Sequence, residues 1–291
     1  MIRLNSEFMD VIRPFNIGES IRLGSDYDGG YVVPVSAISK IRFLYSYGYG
    51  YNFKFEENFI DLLNVSVFLY DDEASTRQLF RQLLMSLLFR PFCKSSKYAP
   101  RKALKNFSNY RKMIKNKKIF YSNSKVVPLG SQLERNDKSI IFDETINAPS
   151  FEHLNAAIKM DIEGAEYEIF DRSVVNFDKF AMIIVEFHDI NRNLEVFNKI
   201  VDNLSHHFVI SNAHINNYGP ISDAGVPSII ELVFVNKVFA RNYSNISSIP
   251  SPLNRPCCIY KPEIHYVFDK NRSSGAAEWK RKLKLLALEF S

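Results

Sequence analysis

Short apolar runs rich in Val, Ile and Phe alternate with longer mixed segments along this chain. That alternation predicts repeated βαβ units and an α/β fold. Residues 41–47 (IRFLYSY) predict the first strand, 65–70 (VSVFLY) the second and 125–129 the third. A fourth strand is predicted at 156–160 and a fifth at 181–187 (AMIIVEF), with two more at 208–213 and 228–235. Apolar residues at helical spacing mark 194–204 as a helix. Another helix is predicted over 75–89, and Pro91 ends or breaks it. After a loop punctuated by Pro250, Pro252 and Pro256, residues 276–290 place Trp279, Leu283, Leu286 and Phe290 on one stripe. This tail helix is expected to dock on the core or on a second copy of the chain, which would make a homo-oligomer. A peripheral membrane-surface role is the weaker alternative, because the apolar stripe is short.

Composition narrows the class. With 291 residues the chain can bury one α/β core and still hold an insertion, so a single domain over 1–291 is expected. No apolar run approaches the ~20 residues a membrane span needs. The N-terminal stretch carries Glu7 and Asp10 and does not read as a signal peptide. Cys93, Cys257 and Cys258 form neither a zinc pattern nor a disulfide framework, which points to a reducing, cytoplasmic setting.

The net charge of +5 is unevenly spread. Residues 74–133 contain no Asp or Glu, while Arg77, Arg81, Lys102, Lys105, Arg111, Lys112, Lys115 and Lys125 are among their cations. The segment reads as a basic helical insertion able to attract a phosphate, a nucleotide-linked sugar, an acidic glycan or an anionic headgroup. A solvated insertion that only keeps the protein soluble is the alternative. Nucleic acid is not expected as a partner.

Three motifs carry candidate chemistry. The first strand runs into Tyr47-Gly48-Tyr49-Gly50, where glycine lets the backbone pass close to a ligand. A third glycine is missing, since position 53 is Phe53, and a plain tight turn explains the pair equally well. The second strand ends in Tyr70-Asp71-Asp72, where a carboxylate can accept hydrogen bonds from both hydroxyls of an adenosine ribose. Asp71 is the preferred ligand, with Asp72 a second candidate or a solvated turn. The fourth strand delivers Asp161 and Glu163 to its carboxyl end before Gly164 turns the chain. Two neighbouring carboxylates there require a polar or cationic partner, unless they only begin an exposed acidic helix.

The stretch KMDIEGAEYEIF at 159–170 resembles the signature of the FkbM-type methyltransferase family. Arg22-Leu23-Gly24 with Asp28-Gly29-Gly30-Tyr31-Val32 is similar to that family's N-terminal block. Glu186-Phe187-His188 is similar to the end of its fifth strand, and 214–219 with 231–234 to its late strands. The resemblance implies a Rossmann-like seven-stranded sheet with an antiparallel last strand. It also implies S-adenosylmethionine as methyl donor, often with sugar hydroxyls as acceptors, as in surface glycan or capsule biosynthesis. By position, Tyr47, Gly48, Gly50, Asp71, Asp72 and Asp161 would form the donor site. Arg22, Asp28, Tyr31, Asn216 and Asn217 would bind substrate. The tyrosine-rich first turn and the 74–133 segment depart from the family pattern.

On the late strands, Glu186 and His188 lie two apart and face one side. Together with Asp161, Glu163, His214 and Glu231 they are expected to rim one cleft. Glu163, Glu186, His188 and His214 are the catalytic candidates: a histidine or carboxylate could take the acceptor's proton. Binding of a divalent metal is a less favoured alternative, and no metal ligands are assigned. The rival readings are an NAD-dependent oxidoreductase and a non-catalytic scaffold that binds glycan or membrane.

Overall fold

The computed structural model describes residues 4–72, 79–81, 84, 100–131, 138–146, 152–240 and 243–269. Seven strands make the central sheet: β1 (Phe43–Tyr47), β2 (Ser66–Tyr70), β3 (Ile119–Ser122), β4 (Ala156–Met160), β5 (Met182–Phe187), β6 (Phe208–Ile215) and β7 (Ile230–Asn236). Their order is β6-β7-β5-β4-β1-β2-β3. Strand β7 runs antiparallel to both β5 and β6, and the other pairs are parallel. The Rossmann-like α/β class and the antiparallel last strand are therefore as expected.

Side-chain alternation gives the sheet two covered faces. Tyr45, Tyr47, Ile158, Met160, Ile183 and Val185 point to one core. There they meet α4 (Glu166–Arg172) through Tyr167 and Ile169, and α5 (Leu194–Ser205) through Phe197, Ile200, Val201 and Leu204. The spacing of those α5 residues is that of one helical stripe. Leu44, Val67, Leu69, Ala157 and Ile184 point to the other core. That side is closed by Phe55 and Phe59 of α2 (Lys54–Leu63) and by Met113 of α3 (Pro100–Lys115). Burial on both faces is why β4 and β5 read as unbroken apolar runs. Helix α2 ends on Asn64 at φ 55, a left-handed cap that asparagine tolerates.

The third strand differs from its predicted place. The edge strand is Ile119–Ser122, and Lys125–Val127 instead pairs in parallel with Ser139–Ile141 in a separate two-stranded sheet. An edge strand bonds on one side only, and β3 is nowhere fully buried, so it lacks the apolar run that marks its neighbours. The end of the basic segment thus supplies a helix and a strand of the core. Of the helix predicted at 75–89, the described residues 79–81 and 84 are helical. The tail helix predicted at 276–290 lies outside the described residues. Among the described residues no helix is long and apolar enough to cross a membrane.

Register does the positioning. Tyr47 stands level with Tyr70 on one side and with Met160 on the other, and Met160 with Val185. Gly48, Asp71, Asp161 and Glu186 are therefore level with one another, each one residue further on. The strand order reverses between β1 and β4, where open α/β sheets form their ligand crevice. Gly48 sits at that point with φ 79, and a Cβ on it would come within 1.7 Å of the Asp161 carbonyl oxygen. Gly48→Ala should therefore cost at least ~1–3 kcal/mol through backbone strain alone. A thermal melt unchanged from wild type would show that the two strand ends do not close as described.

Candidate functional site

The loop after β1 is held by the carboxylate after β2. Asp71 Oδ2 accepts hydrogen bonds from the Tyr49 amide at 2.6 Å and the Gly50 amide at 3.0 Å. The Asp71 carbonyl in turn accepts from the Tyr121 hydroxyl and the Asn123 amide. Asp71 thus locks the glycine loop, and Asp72 is the more exposed of the pair. A cavity of about 430 Å³ opens here, lined by Gly48, Gly50, Asp71, Asp72, Asp161 and Glu163 among others. Its size is that of a small-molecule site. Asp28, Gly29 and Asn52 close one side, and Ser124 and Lys125 another.

Lys159 is the residue the sequence reading passed over. It sits in the middle of the buried run of β4 and is 5% exposed. Its ammonium donates to the Gly48 carbonyl at 2.6 Å and lies 3.9 Å from Asp161 Oδ2. A lysine inside an otherwise apolar strand was the signal for it. Tyr47, expected at the donor site, turns its side chain into the core instead. There it stacks on Tyr70 and its hydroxyl pairs with Thr145 at 2.6 Å. Its contribution to the cleft is a backbone carbonyl that accepts from the Asp161 amide.

Beyond Asp161 the wall turns acidic. His188 Nδ1 lies 3.1 Å from Glu166 Oε1, and Glu166 is fully buried at the start of α4. The other ring nitrogen, Nε2, faces Glu163 Oε2 at 3.6 Å, Asp161 Oδ1 at 3.8 Å and Glu186 Oε1 at 3.8 Å. Burial alone would lower the histidine's pKa, but Glu166, Asp161 and Glu163 outweigh it and raise it. Burial pushes Glu186 well above the usual carboxylate range, and Asp161, Glu231 and Asp28 add to this, against the hydrogen bond from Asn216. Desolvation likewise raises Asp161, with Lys159 and His188 pulling the other way. Asp28 is lifted to about 6 by desolvation and by repulsion from Glu231 and Asp161. Glu166 was missed as a site residue, since an acid opening a helix reads as surface; its burial comes from the tertiary fold.

The remaining residues divide between cleft and scaffold. His214 is 1% exposed, with Nδ1 2.9 Å from Glu231 and Nε2 3.2 Å from Glu263. The Cys257 thiol donates to Glu231 at 3.3 Å. With both ring nitrogens engaged, His214 is a charged post inside the wall and does not open on the cavity. Asn217 bonds to the backbone of Cys258, Lys261 and Pro262 and so pins the loop after the sheet. Asn216 holds Glu186 at 2.7 Å. Arg22 and Tyr31 belong to the hairpin of Ser20–Gly24 and Gly30–Pro34. Tyr31 is buried edge-on against Phe55. The Arg22 guanidinium bonds to the carbonyls of Ser25 and Tyr27, while its Nε and Nη1 have no hydrogen-bond partner.

Residues 86–213 match the family model described as the methyltransferase FkbM domain. The match takes in the 159–170 signature and the end of β5, and it bears out the methyltransferase reading. The blocks at 22–32, 214–219 and 231–234 lie outside it. No curated protein matches the chain. Among solved structures the chain is similar to M. capricolum TrmK in complex with S-adenosyl-homocysteine, at 12% identity and TM-score 0.33. That alignment covers 69% of this chain and 66% of the other. It is also similar to a precorrin-6y C5,15-methyltransferase from Geobacter metallireducens GS-15, at 11% identity, TM-score 0.31, and 69% and 86% coverage. A putative sarcosine dimethylglycine methyltransferase from Galdieria sulphuraria aligns at 10% identity, TM-score 0.32, and 68% and 80% coverage.

The His214 post has a pH signature. Burial lowers its pKa, but Glu231 and Glu263 more than offset this and raise it to about 9. A raised folded-state pKa stabilises fully below the unfolded value of ~6.5, and the contribution is lost as pH rises through about 9. Urea midpoints at pH 6 and pH 10 should therefore show a loss on the order of 1–3 kcal/mol in wild type. His214→Gln should have a lower midpoint at pH 6 and a shallower fall. Equal slopes in the two proteins would refute the charged post.

Proposed function

We propose that the chain transfers a methyl group from S-adenosylmethionine to a hydroxyl of a sugar or sugar-linked acceptor. The observation that carries this is the continuity of the cavity. A glycine loop locked by Asp71 opens onto Asp161 and Glu163 in one cavity, and behind them His188 Nε2 stands 3.8 Å from both Asp161 and Glu186. The first part suits the donor and the second suits an acceptor that must lose a proton. The donor fits its cradle because the β1 turn can pass close only as glycine, with Gly48 against the backbone of Asp161. Asp71 then fixes the loop, and Asp72 offers its carboxylate to the ribose hydroxyls. Asp161 lies where the positive end of the donor would be met by a negative charge.

Asp161, Glu163 and Glu186 bring several carboxyl oxygens together as hydrogen-bond acceptors, so this wall suits an acceptor rich in hydroxyl donors. A sugar has that character. In line with the methyl carbon, such a hydroxyl would lie beside Glu186 and His188, whose side chains would favour loss of its proton as the bond forms. The basic segment gives the acceptor's charge a place. Lys125 lines the cavity, and Arg101, Lys105, Arg111 and Lys115 are exposed on α3. A nucleotide-linked or otherwise anionic sugar matches that arrangement.

Calorimetry separates this reading from an oxidoreductase: demethylated donor should bind and NAD should not, and tighter NAD binding would sink the assignment. Asp72→Ala should weaken donor binding by ~1.5–3 kcal/mol without lowering the melting temperature. Asp71→Ala should lower both, because it also frees the loop. With a panel of nucleotide sugars as acceptors, His188→Gln should reduce methyl transfer by ~10²–10⁴ while donor binding persists. Wild-type turnover in that variant would remove His188 from the mechanism.

A further inference from the structure

The wall beside the donor cavity has an arrangement that hydrogen bonding does not explain. His188 Nε2 faces three carboxylate oxygens at 3.6 to 3.8 Å, each too far for a hydrogen bond. Two groups around an ion with ligands at ~2.1 Å stand ~3.0 Å apart at right angles and ~4.2 Å apart across it. The observed separations fall inside that span. The ligand atoms of Asp161, Glu186 and His188 all lie within 4.8 Å of one another.

The second observation comes from behind the ring. Glu166 is fully exposed to no solvent, accepts from the Ile162 amide and meets His188 Nδ1 with the same oxygen. A carboxylate behind a histidine fixes the tautomer that points the Nε2 lone pair forward, as in histidine ligands of metals. The other Glu166 oxygen is buried and has no hydrogen-bond partner. Asn216 in turn orients Glu186 through a 2.7 Å hydrogen bond. Near Asp161 the cation is Lys159, whose ammonium already donates to the Gly48 carbonyl.

We propose that Asp161, Glu186 and His188 form a site for one hard divalent cation of the Mg²⁺ or Mn²⁺ class, with Glu163 on its solvent side. One imidazole among carboxylates suits such an ion better than a soft one. Asp161 also lines the donor cavity, which puts the cation at the junction of donor and acceptor. Its role, though not its existence, rests on the methyltransferase reading: it would polarise the acceptor hydroxyl and ease loss of its proton. His188 then acts as a ligand of the ion.

Mn²⁺ titrated into the full chain, followed by its electron paramagnetic resonance signal, tests the site without any acceptor. One Mn²⁺ should bind per chain. His188→Gln and Asp161→Asn should each weaken binding at least tenfold, and Glu166→Gln by ~10–100-fold. Glu168→Gln, on the exposed side of α4, should bind as wild type does. No uptake by wild type at millimolar Mn²⁺ would overturn the proposal, as would unchanged binding in the first three variants. Calorimetry with demethylated donor in chelator keeps the two readings apart. Donor binding without Mn²⁺ uptake removes the cation site alone, whereas loss of donor binding itself removes the methyltransferase reading.

Discussion

A lysine ammonium inside a parallel sheet has to find acceptors, and the one on Lys159 finds the end of the neighbouring strand. Its bond to the Gly48 carbonyl and its nearness to Asp161 hold the exits of β1 and β4 together. That contact is tight enough to exclude any side chain at position 48. On the other flank, Asp71 reaches back from β2 to the amides of the same loop. Three strands are thus joined at their carboxyl ends by groups that the sheet's own ladder does not use. The cavity exists because these ties keep the loop turned away from the sheet.

From that junction outward, in-register pairing lays one residue per strand along the carboxyl edge, each of them polar except Gly48. Asp71, Gly48, Asp161 and Glu186 are followed by Glu231 and His214, which pair across β7 and β6. Burial, with repulsion between neighbouring carboxylates added to it, raises the proton affinity of Glu186, Asp161 and Asp28. The basic residues of α3 lie on the opposite flank, beside β2 and β3. The cleft is therefore polarised from a basic end to an acidic end, which the net charge of the chain conceals.

Most of the architecture was legible because buried parallel strands announce themselves. The limits of β4 were read as they stand, and those of β1, β2 and β5 to within two residues. Strand β3 was misplaced because an edge strand carries little apolar signal and here sits among lysines. Gly48, Asp71, Asp161, Glu186 and His188 were legible as strand-end chemistry, and the fold sets them side by side along the carboxyl ends of the strands, with Gly48, Asp71 and Asp161 lining the cavity. Tyr47 was not legible in detail, because strand alternation decides its direction and sends the ring to the core. Lys159 and Glu166 were within the quoted signature, yet their roles depend on burial and on partners distant in sequence. His214 was read as a cleft residue, since sequence shows its strand end but not the Glu263 that covers it.

That cover lies in a stretch beyond the last sheet strand. Glu263 caps His214, Cys257 leans on Glu231, and Asn217 grips the backbone at Cys258, Lys261 and Pro262. The sheet is complete at Asn236, but the electrostatic wall is complete only after this loop has been laid against it. The boundary of the domain by topology and its boundary by charge are therefore different places. A chain cut after β7 would keep every strand of the central sheet and still leave Glu231 and His214 facing water, with the acidic end of the cleft open from behind.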